Sequence, residues 1–416
     1  MRNDLLPLDG ITVVTLEQAV AAPIATRHLA DLGARVIKLE RIGEGDFARN
    51  YDHEVKGLAS HFVWLNRGKE SIEVDLKSEQ GLAIAQRLLA QADVFVQNSA
   101  PGAAARLGLD ADELVERNPR LIVANISGYG TSGPSRDRKA YDMLVQAEAG
   151  LISVTGTPET PTKTGVPSAD IAAGLYTSQA VLAALFRRER TGRGGVVDVS
   201  MFDSTVEWLG HSMYIQLYGG RQIPRMGLSH ASIAPYDAYP TLDGQILIGV
   251  QNDRGWRTLV RDVFERPDLV DHPRLATNPL RVANRAECDA VVAENTRRFT
   301  TAELDAKLAE VGVPAAQIND MAGLIDHPQL AARDRWREID SPAGPLRAVL
   351  PPMTFRDVEL PMGSVPALGG DTCRILADLG VDPGGIAALV SAGVVGVADS
   401  HTPPGVDAPI DVEHTP

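Results

Sequence analysis

Up to about residue 200 the chain alternates short β-branched runs with helical stretches, and no other feature restricts its fold so strongly. Ile11-Thr12-Val13-Val14 precedes a helical stretch from Ile24 to Leu32. Gly33 stops that helix, and Ala34-Arg35-Val36-Ile37-Lys38-Leu39 reads as a second strand. Apolar runs at Asp93-Val94-Phe95-Val96 and Leu121-Ile122-Val123-Ala124 are separated by helical patterns from Glu79 to Gln91 and Ala111 to Asn118. Strands divided by helices pair in parallel, because each crossover carries the chain back to the edge where it started. The expected fold class is therefore α/β, with an open, Rossmann-like parallel sheet. A helix from Ile171 to Arg188 carries Ile171, Leu175, Leu182 and Leu185 near one face, which predicts a core-facing stripe. After Thr191-Gly192-Arg193-Gly194-Gly195 comes one more strand, Val196-Val197-Asp198-Val199, and a helix through Trp208.

The pattern changes after about Gly219. Tyr236 to Thr241 and Gln245 to Val250 flank Leu242-Asp243-Gly244, the signature of a hairpin with a glycine-containing turn. Helical segments follow at Trp256 to Phe264, Arg285 to Phe299 and Thr301 to Val311, and later a strand at Leu346 to Leu350 and a helix at Gly370 to Leu379. The expected division is a large α/β domain begun by residues 1–210, a linker at 211–224 and a small α+β domain at 225–330. Residues 331–400 return to complete the large domain, and the Pro-rich, polar stretch 401–416 is expected to be a disordered tail.

With 40 Lys+Arg against 54 Asp+Glu the formal net charge is −14, which argues against a nucleic-acid binder. An anionic ligand needs only a local basic patch, so it is not excluded. The two cysteines, Cys288 and Cys373, form neither a disulfide framework nor metal-ligand spacing, and a reducing, cytoplasmic setting is expected. There is no secretory h-region at the start and no run of ~18 apolar residues, so no membrane association is expected. The loop Glu17-Gln18-Ala19-Val20-Ala21-Ala22-Pro23 lacks the glycines that a dinucleotide pyrophosphate requires. No tightly bound cofactor and no metal are expected.

Basic residues recur in the loops that follow predicted strands: Arg41, Arg49, Arg67, Lys69, Arg106, Arg136, Arg138 and Lys139, with Asn98 among them. Ligands of open α/β sheets bind outside the carboxyl ends of the strands, where converging Arg and Lys suit a polyphosphate. Solvated loop charge is the alternative. Asp170 immediately precedes a predicted helix, a position that by itself favours an N-cap, with a carboxylate nucleophile as the alternative. Both roles are compatible, since a helix N-terminus favours the ionised form.

Taken in order, a series of motifs resembles the class III CoA-transferases, the family of formyl-CoA transferase and carnitine CoA-transferase-like proteins. They are Leu8-Asp9-Gly10, Asp31-Leu32-Gly33-Ala34, Val36-Ile37-Lys38-Leu39-Glu40-Arg41 and Asn66-Arg67-Gly68-Lys69-Glu70-Ser71-Ile72. Gln97-Asn98-Ser99-Ala100-Pro101-Gly102, Gly128-Tyr129-Gly130, Tyr141-Asp142, Ala169-Asp170 and Thr191-Gly192-Arg193-Gly194 continue the series. The resemblance implies an enzyme that moves CoA from an acyl-CoA to a free carboxylic acid, with CoA as substrate and Asp170 as nucleophile. It places CoA contacts at Arg41, Lys69, Asn98, Arg106, Lys139 and Tyr141. It also implies an interlocked, ring-like homodimer and a covalent aspartyl anhydride and aspartyl-CoA thioester. Backbone N–H groups near Gln251 are the expected oxyanion donors.

The same family includes α-methylacyl-CoA racemases, which carry a histidine where Tyr141 stands here. Racemisation needs two proton-transfer groups, and a phenol with a pKa near 10 does not replace the histidine. A non-catalytic CoA-binding protein is the third alternative. Formyl-CoA transferase has a histidine and a substrate-contacting glutamine where this chain has Gln18 and Val20. Its glycine-rich lid has no good counterpart here, Gly249-Val250-Gln251-Asn252 being the nearest segment. These departures point away from oxalate and formyl-CoA. His230-Ala231-Ser232-Ile233-Ala234-Pro235-Tyr236, followed by Asp243-Gly244, resembles the succinyl-CoA:dicarboxylate branch.

Overall fold

The computed structural model describes residues 5–398; the tail expected at 401–416 lies outside them. The chain divides into two compact units. The first contains the described residues up to Ala149, then Gly165–Leu209, and those from Arg335 onward; the second contains Gly150–Thr164 and Gly210–Asp334.

In the first unit the chain runs β1 (Thr12–Leu16), α1 (Ala21–Asp31), β2 (Arg35–Glu40), α2 (Ser60–Asn66), β3 (Lys69–Val74) and α3 (Glu79–Gln91). It continues with β4 (Val94–Gln97), α4 (Ala103–Arg106), α5 (Ala111–Arg117), β5 (Ile122–Ser127) and α6 (Asp142–Glu148). After α7 (Leu151–Val154), a second-unit element, come α8 (Ser168–Thr191), β6 (Gly195–Ser200) and α9 (Met201–Trp208). The second unit then holds α10 (Gly210–Gly219), β7 (Tyr236–Pro240), β8 (Gln245–Gly249), α11 (Asp253–Thr258), α12 (Asn278–Ala283) and α13 (Arg285–Thr296). It ends with α14 (Thr301–Glu310), β9 (Ala315–Gln317), α15 (Met321–Ile325) and α16 (Pro328–Ala332). The first unit closes with β10 (Trp336–Ile339), β11 (Leu346–Val349), α17 (Thr372–Asp378), α18 (Pro383–Ser391) and β12 (Val395–Gly396).

Seven strands form the main sheet in the order β12-β3-β2-β1-β4-β5-β6. Every pairing is parallel except that of β12 with β3. The six parallel strands follow the doubly wound order, which reverses between β1 and β4. Alternate residues serve opposite faces. Val13, Val36, Val94 and Ile122 join the core beneath α1 and α8, while Val14, Ile37, Phe95 and Val123 join the core beneath α3 and α17. Both faces are apolar, as a sheet covered on both sides requires.

The crossover helix α8 corrects the stripe expected of it. Leu175 and Leu182 do not face the core; they are 40% and 36% exposed, and the buried face is built from Ala169, Ala172, Ala173, Thr177 and Val181. The reason is the close approach of α1. A Cβ on Gly174 would stand 2.1 Å from Ile24 Cγ2 and 2.5 Å from the Ala21 carbonyl oxygen. Only small side chains fit between helices this close, so the leucines point outward. By length and composition alone α8 could cross a membrane. Its Arg188, however, is buried against Asp93 at 2.9 Å, and the helix lies on the sheet.

In the second unit β7, β8 and β9 form an antiparallel sheet over a core centred on Trp256. The β7–β8 pair is the expected hairpin. Residues 211–224 are not simply a linker, because α10 occupies most of them. Nor does the large domain run unbroken to residue 210. Arg225 donates to the carbonyls of Thr157 and Pro158 at 3.0 and 2.9 Å, and Gly227 N–H to Gly156 at 2.8 Å, which ties 150–164 to the second unit.

Gly174→Val should cost about 1–3 kcal/mol through overpacking of the α1–α8 contact. Urea denaturation should show a lower midpoint; an unchanged midpoint would mean that the two helices are not held at this distance.

Candidate active site

Ligands of a doubly wound sheet bind in the crevice outside the carboxyl ends of the strands where the order reverses. Here that point lies between β1 and β4, and a single side chain spans it. Asn98, which follows β4, accepts from Gln18 N–H at 2.9 Å and donates from Nδ2 to the Gln18 carbonyl at 2.8 Å. The next residue, Ala19, sits at φ 64°, a left-handed conformation usually left to glycine. Its N–H is held by Asp46 Oδ1 at 3.1 Å. The β1 loop is thus clamped from both sides without a glycine.

Beneath that loop lies a buried ionic network. Glu17 Oε1 accepts from Lys69 Nζ at 2.6 Å and from Lys38 Nζ at 3.3 Å, while Oε2 accepts from the Thr15 and Thr26 hydroxyls. Lys38 also reaches Asp46 Oδ2 at 2.7 Å. Asp46 N–H donates to Glu40, which is gripped by Arg49 at 2.9 and 2.7 Å and by the Ser71 hydroxyl at 2.6 Å. Burial alone would push the Glu17 carboxyl up, but Lys69 and Lys38 outweigh it and hold the group at about 2. Burial drives the Lys69 ammonium down to about 8 despite Glu17.

This network corrects the role expected of Lys69. Its ammonium is fully buried and bonded to Glu17, the Pro23 carbonyl and Asn66 Oδ1, so it has no donor to offer a phosphate. Arg49 and Arg67 are likewise turned inward, Arg67 onto Asp31 at 3.0 and 2.8 Å. Sequence spacing reports a charge; it does not report the direction in which a side chain points.

The remaining candidates lie on segments leaving the carboxyl ends of strands. Arg41 follows β2, exposed, with a loose 3.4 Å ion pair to Glu44. Arg106 is the exposed last residue of α4, and Lys139 is exposed in the loop after β5. Tyr141, 66% exposed, is the N-cap residue of α6.

Because α8 is the crossover from β5 to β6, it begins at the same edge. Ile171 packs on the cluster of Val20, Ile24 and Leu65, on which Ala19 also packs, and this sets Asp170 beside the β1 loop. Asp170 is not an N-cap. That position belongs to Pro167, and Asp170 lies inside the first turn, half-buried. The start of α8 is served instead by Asp142, whose Oδ1 accepts from Ala169 N–H at 2.8 Å and Asp170 N–H at 3.4 Å. Among the described residues no donor is hydrogen-bonded to the Asp170 carboxylate. The helix start therefore does not keep Asp170 ionised: burial, reinforced by the Asp142 charge, pushes its pKa up to about 7. Tyr51 is a neighbour that the sequence did not single out. Burial first, then Asp46, Asp170 and Tyr141, push its phenol up to about 12. Its only sequence signal is its place in a loop after a strand. Among the described residues no group of His, Cys, Asp or Glu is arranged to hold a metal.

The pattern of CoA-transferase family III matches residues 8–372. The chain belongs to CoA-transferase family III. It is 35% identical to succinyl-CoA:glutarate CoA-transferase of Homo sapiens, over 96% of this chain and 92% of that one. It is 38% identical to acetyl-CoA:oxalate CoA-transferase of Acetobacter aceti, over 79% of this chain and 85% of that one. A crystal structure of a CaiB/BaiF family protein from Brucella suis superposes with a TM-score of 0.81 at 37% identity, covering 90% of this chain and 99% of that one. As a family III CoA-transferase the protein is an enzyme whose substrates are CoA thioesters.

A carboxyl whose pKa is higher in the fold, about 7 against an ordinary 3.8, disfavours folding when ionised. The penalty is absent below the unfolded pKa and complete above the folded one. Asp170→Asn should therefore raise the melting temperature above neutral pH, and the gain should fade as the pH drops toward 4. Thermal melts across that range test this; a gain independent of pH would show that Asp170 titrates normally.

Proposed function

We propose that this enzyme moves CoA from succinyl-CoA to a dicarboxylate, with Asp170 as the nucleophile. The single observation that carries the reading is the state of Asp170: half-buried, at the ligand edge of the sheet, with its carboxylate bonded to no donor among the described residues. The substrate class is supported by similarity to the succinyl-CoA:glutarate enzyme.

In this reading an Asp170 oxygen attacks the thioester carbonyl carbon, the C–S bond breaks, and CoA leaves as thiolate. The product is a mixed anhydride between donor and Asp170. Thiolate then attacks the aspartyl carbonyl carbon, breaks the anhydride C–O bond and frees the donor carboxylate, leaving an aspartyl-CoA thioester. An acceptor carboxylate attacks that thioester, thiolate leaves again, and its return to the acceptor carbonyl regenerates Asp170. No net proton is gained or lost, so no second acid–base group is needed. Arg41, Arg106 and Lys139 serve the CoA phosphates and Tyr141 positions the thioester arm. Asn98 acts by holding the Gln18 loop.

Asp170→Ala should lose transfer by several orders of magnitude while still binding CoA, and hydroxylamine should trap no acyl adduct from it. Retained turnover would remove Asp170 from the mechanism. The substrate assignment is tested by CoA exchange from succinyl-, acetyl- and formyl-CoA to a panel of mono- and dicarboxylates that includes glutarate and oxalate. A preference for acetyl-CoA and oxalate would replace it. Deuterium wash-in at the α-carbon of a 2-methylacyl-CoA, without an acceptor, would indicate racemisation instead.

We also infer an interlocked homodimer. All ten residues of α10 escape burial, although Met213, Tyr214, Leu217 and Tyr218 are among them. On α8, Leu175, Leu182 and Phe186 are exposed as well. Exposed apolar side chains gathered on a single helix, as on each of these two, are what a partner covers. Sedimentation should give twice the 44.5 kDa chain mass; a monomer would overturn this reading. The free cysteines Cys288 and Cys373 fit a cytoplasmic enzyme.

A further inference from the structure

We propose that Asp142 is a positioning residue for the transfer reaction, which occupies the amide donors at the start of α8 and so leaves the Asp170 carboxylate uncommitted and facing the substrate. The inference rests on the reading of Asp170 as the nucleophile and assigns the residue that prepares it.

A carboxylate in the first turn of a helix ordinarily meets free N–H groups there, which hold it close and keep it ionised. At α8 those donors are already taken. Asp142 Oδ1 receives the N–H groups of Ala169 and Asp170, and its Oδ2 is anchored by Gln146 Nε2 at 2.6 Å. Asp142 is itself the first residue of α6, and Val145 of that helix shares a buried core with Ala169 and Ala173. One carboxylate therefore fixes the starts of two helices against each other, and the reacting residue lies on one of them.

The charge of Asp142 adds a second effect. It lies close enough to Asp170 to disfavour a second negative charge, so Asp170 becomes a more basic carboxylate than its surroundings alone would make it. The phenol of Tyr51 also interacts with Asp170, and with Asp46 and Tyr141 besides. Of the charged groups on the packed elements, Arg27 and Asp31 of α1 are engaged with each other and Arg67, and His28 with Arg27. Asp198 of β6 accepts from Asn125 of β5, and Asp203 and Glu207 lie on α9. Burial and Asp142 account for the displaced titration of Asp170.

Asp142→Asn keeps an acceptor for the two amides and removes the charge; Asp142→Ser keeps a capping oxygen in a shorter side chain. In the Asp142→Asn background, the pH window over which Asp170→Asn stabilises the protein should move down by about one unit. The low-pH limb of single-turnover formation of the hydroxylamine-trappable adduct should move down by the same interval, and the rate should fall about tenfold at pH 8. Asp142→Ser should lower adduct formation further at unchanged CoA affinity. An unmoved stability window together with an unmoved pH profile in Asp142→Asn would overturn the proposal. The outcome separates cleanly from failure of the nucleophile reading: if Asp170→Asn itself still forms the adduct, that reading falls, whatever Asp142 does.

Discussion

The ion pair between Glu17 and Lys69 underlies the arrangement of the whole ligand edge. Two fully buried opposite charges 2.6 Å apart are costly to desolvate, and such a pair is a poor source of stability by itself. Its effect here is geometric. Glu17 follows β1, Lys38 lies in β2, Lys69 opens β3 and Asp46 lies in the loop after β2, so a single set of contacts registers three strands and their loops. Any one of these groups without its partners would be an uncompensated buried charge, and the arrangement is therefore all or nothing. The backbone of Ala19, in a conformation few side chains accept, is held through the Asp46 end of the same network.

The second constraint is the contact between α1 and α8. At Gly174 the helices meet so closely that a methyl group has no room, and the small residues that line α8 follow from that. The same closeness presses Ile171 onto the cluster of Val20, Ile24 and Leu65. The ionic network shapes the β1 loop, and the helix contact delivers Asp170 to it. Sequence distance between these parts is large, yet they are only two packing steps apart.

The alternation of strands and helices was legible because β-branched runs and their spacing are local properties. The face of α8 was not. A period of 3.6 residues identifies a stripe, and Leu175 and Leu182 form one, but periodicity does not distinguish a core from an outward apolar surface. The candidate site divides in the same manner. Asp170 was legible by its place at a helix start and by motif, whereas its capping state was not, because Asp142 is 28 residues away in sequence. Lys69, Arg49 and Arg67 read as potential phosphate ligands for want of any sign that Glu17, Glu40 and Asp31 would claim them. Tyr51 carried no pattern at all. Its significance is purely spatial.

The acidic balance of the chain bears on the same distinction. A net charge of −14 appears unsuited to a ligand as anionic as CoA, but whole-chain charge does not determine the sign of a site. Cations already paired inside contribute little field outside, and Lys38, Arg49, Arg67 and Lys69 are all of that kind. Arg41, Arg106 and Lys139, by contrast, are exposed on segments that leave the carboxyl ends of β2, β4 and β5. Near Asp170 the argument reverses. Its carboxyl is shifted by burial and by the charge of Asp142, with no cation to offset either. In the proposed reaction the cationic segments and the uncompensated carboxylate are complementary parts of one edge, the former suited to phosphates and the latter to an electrophilic carbonyl.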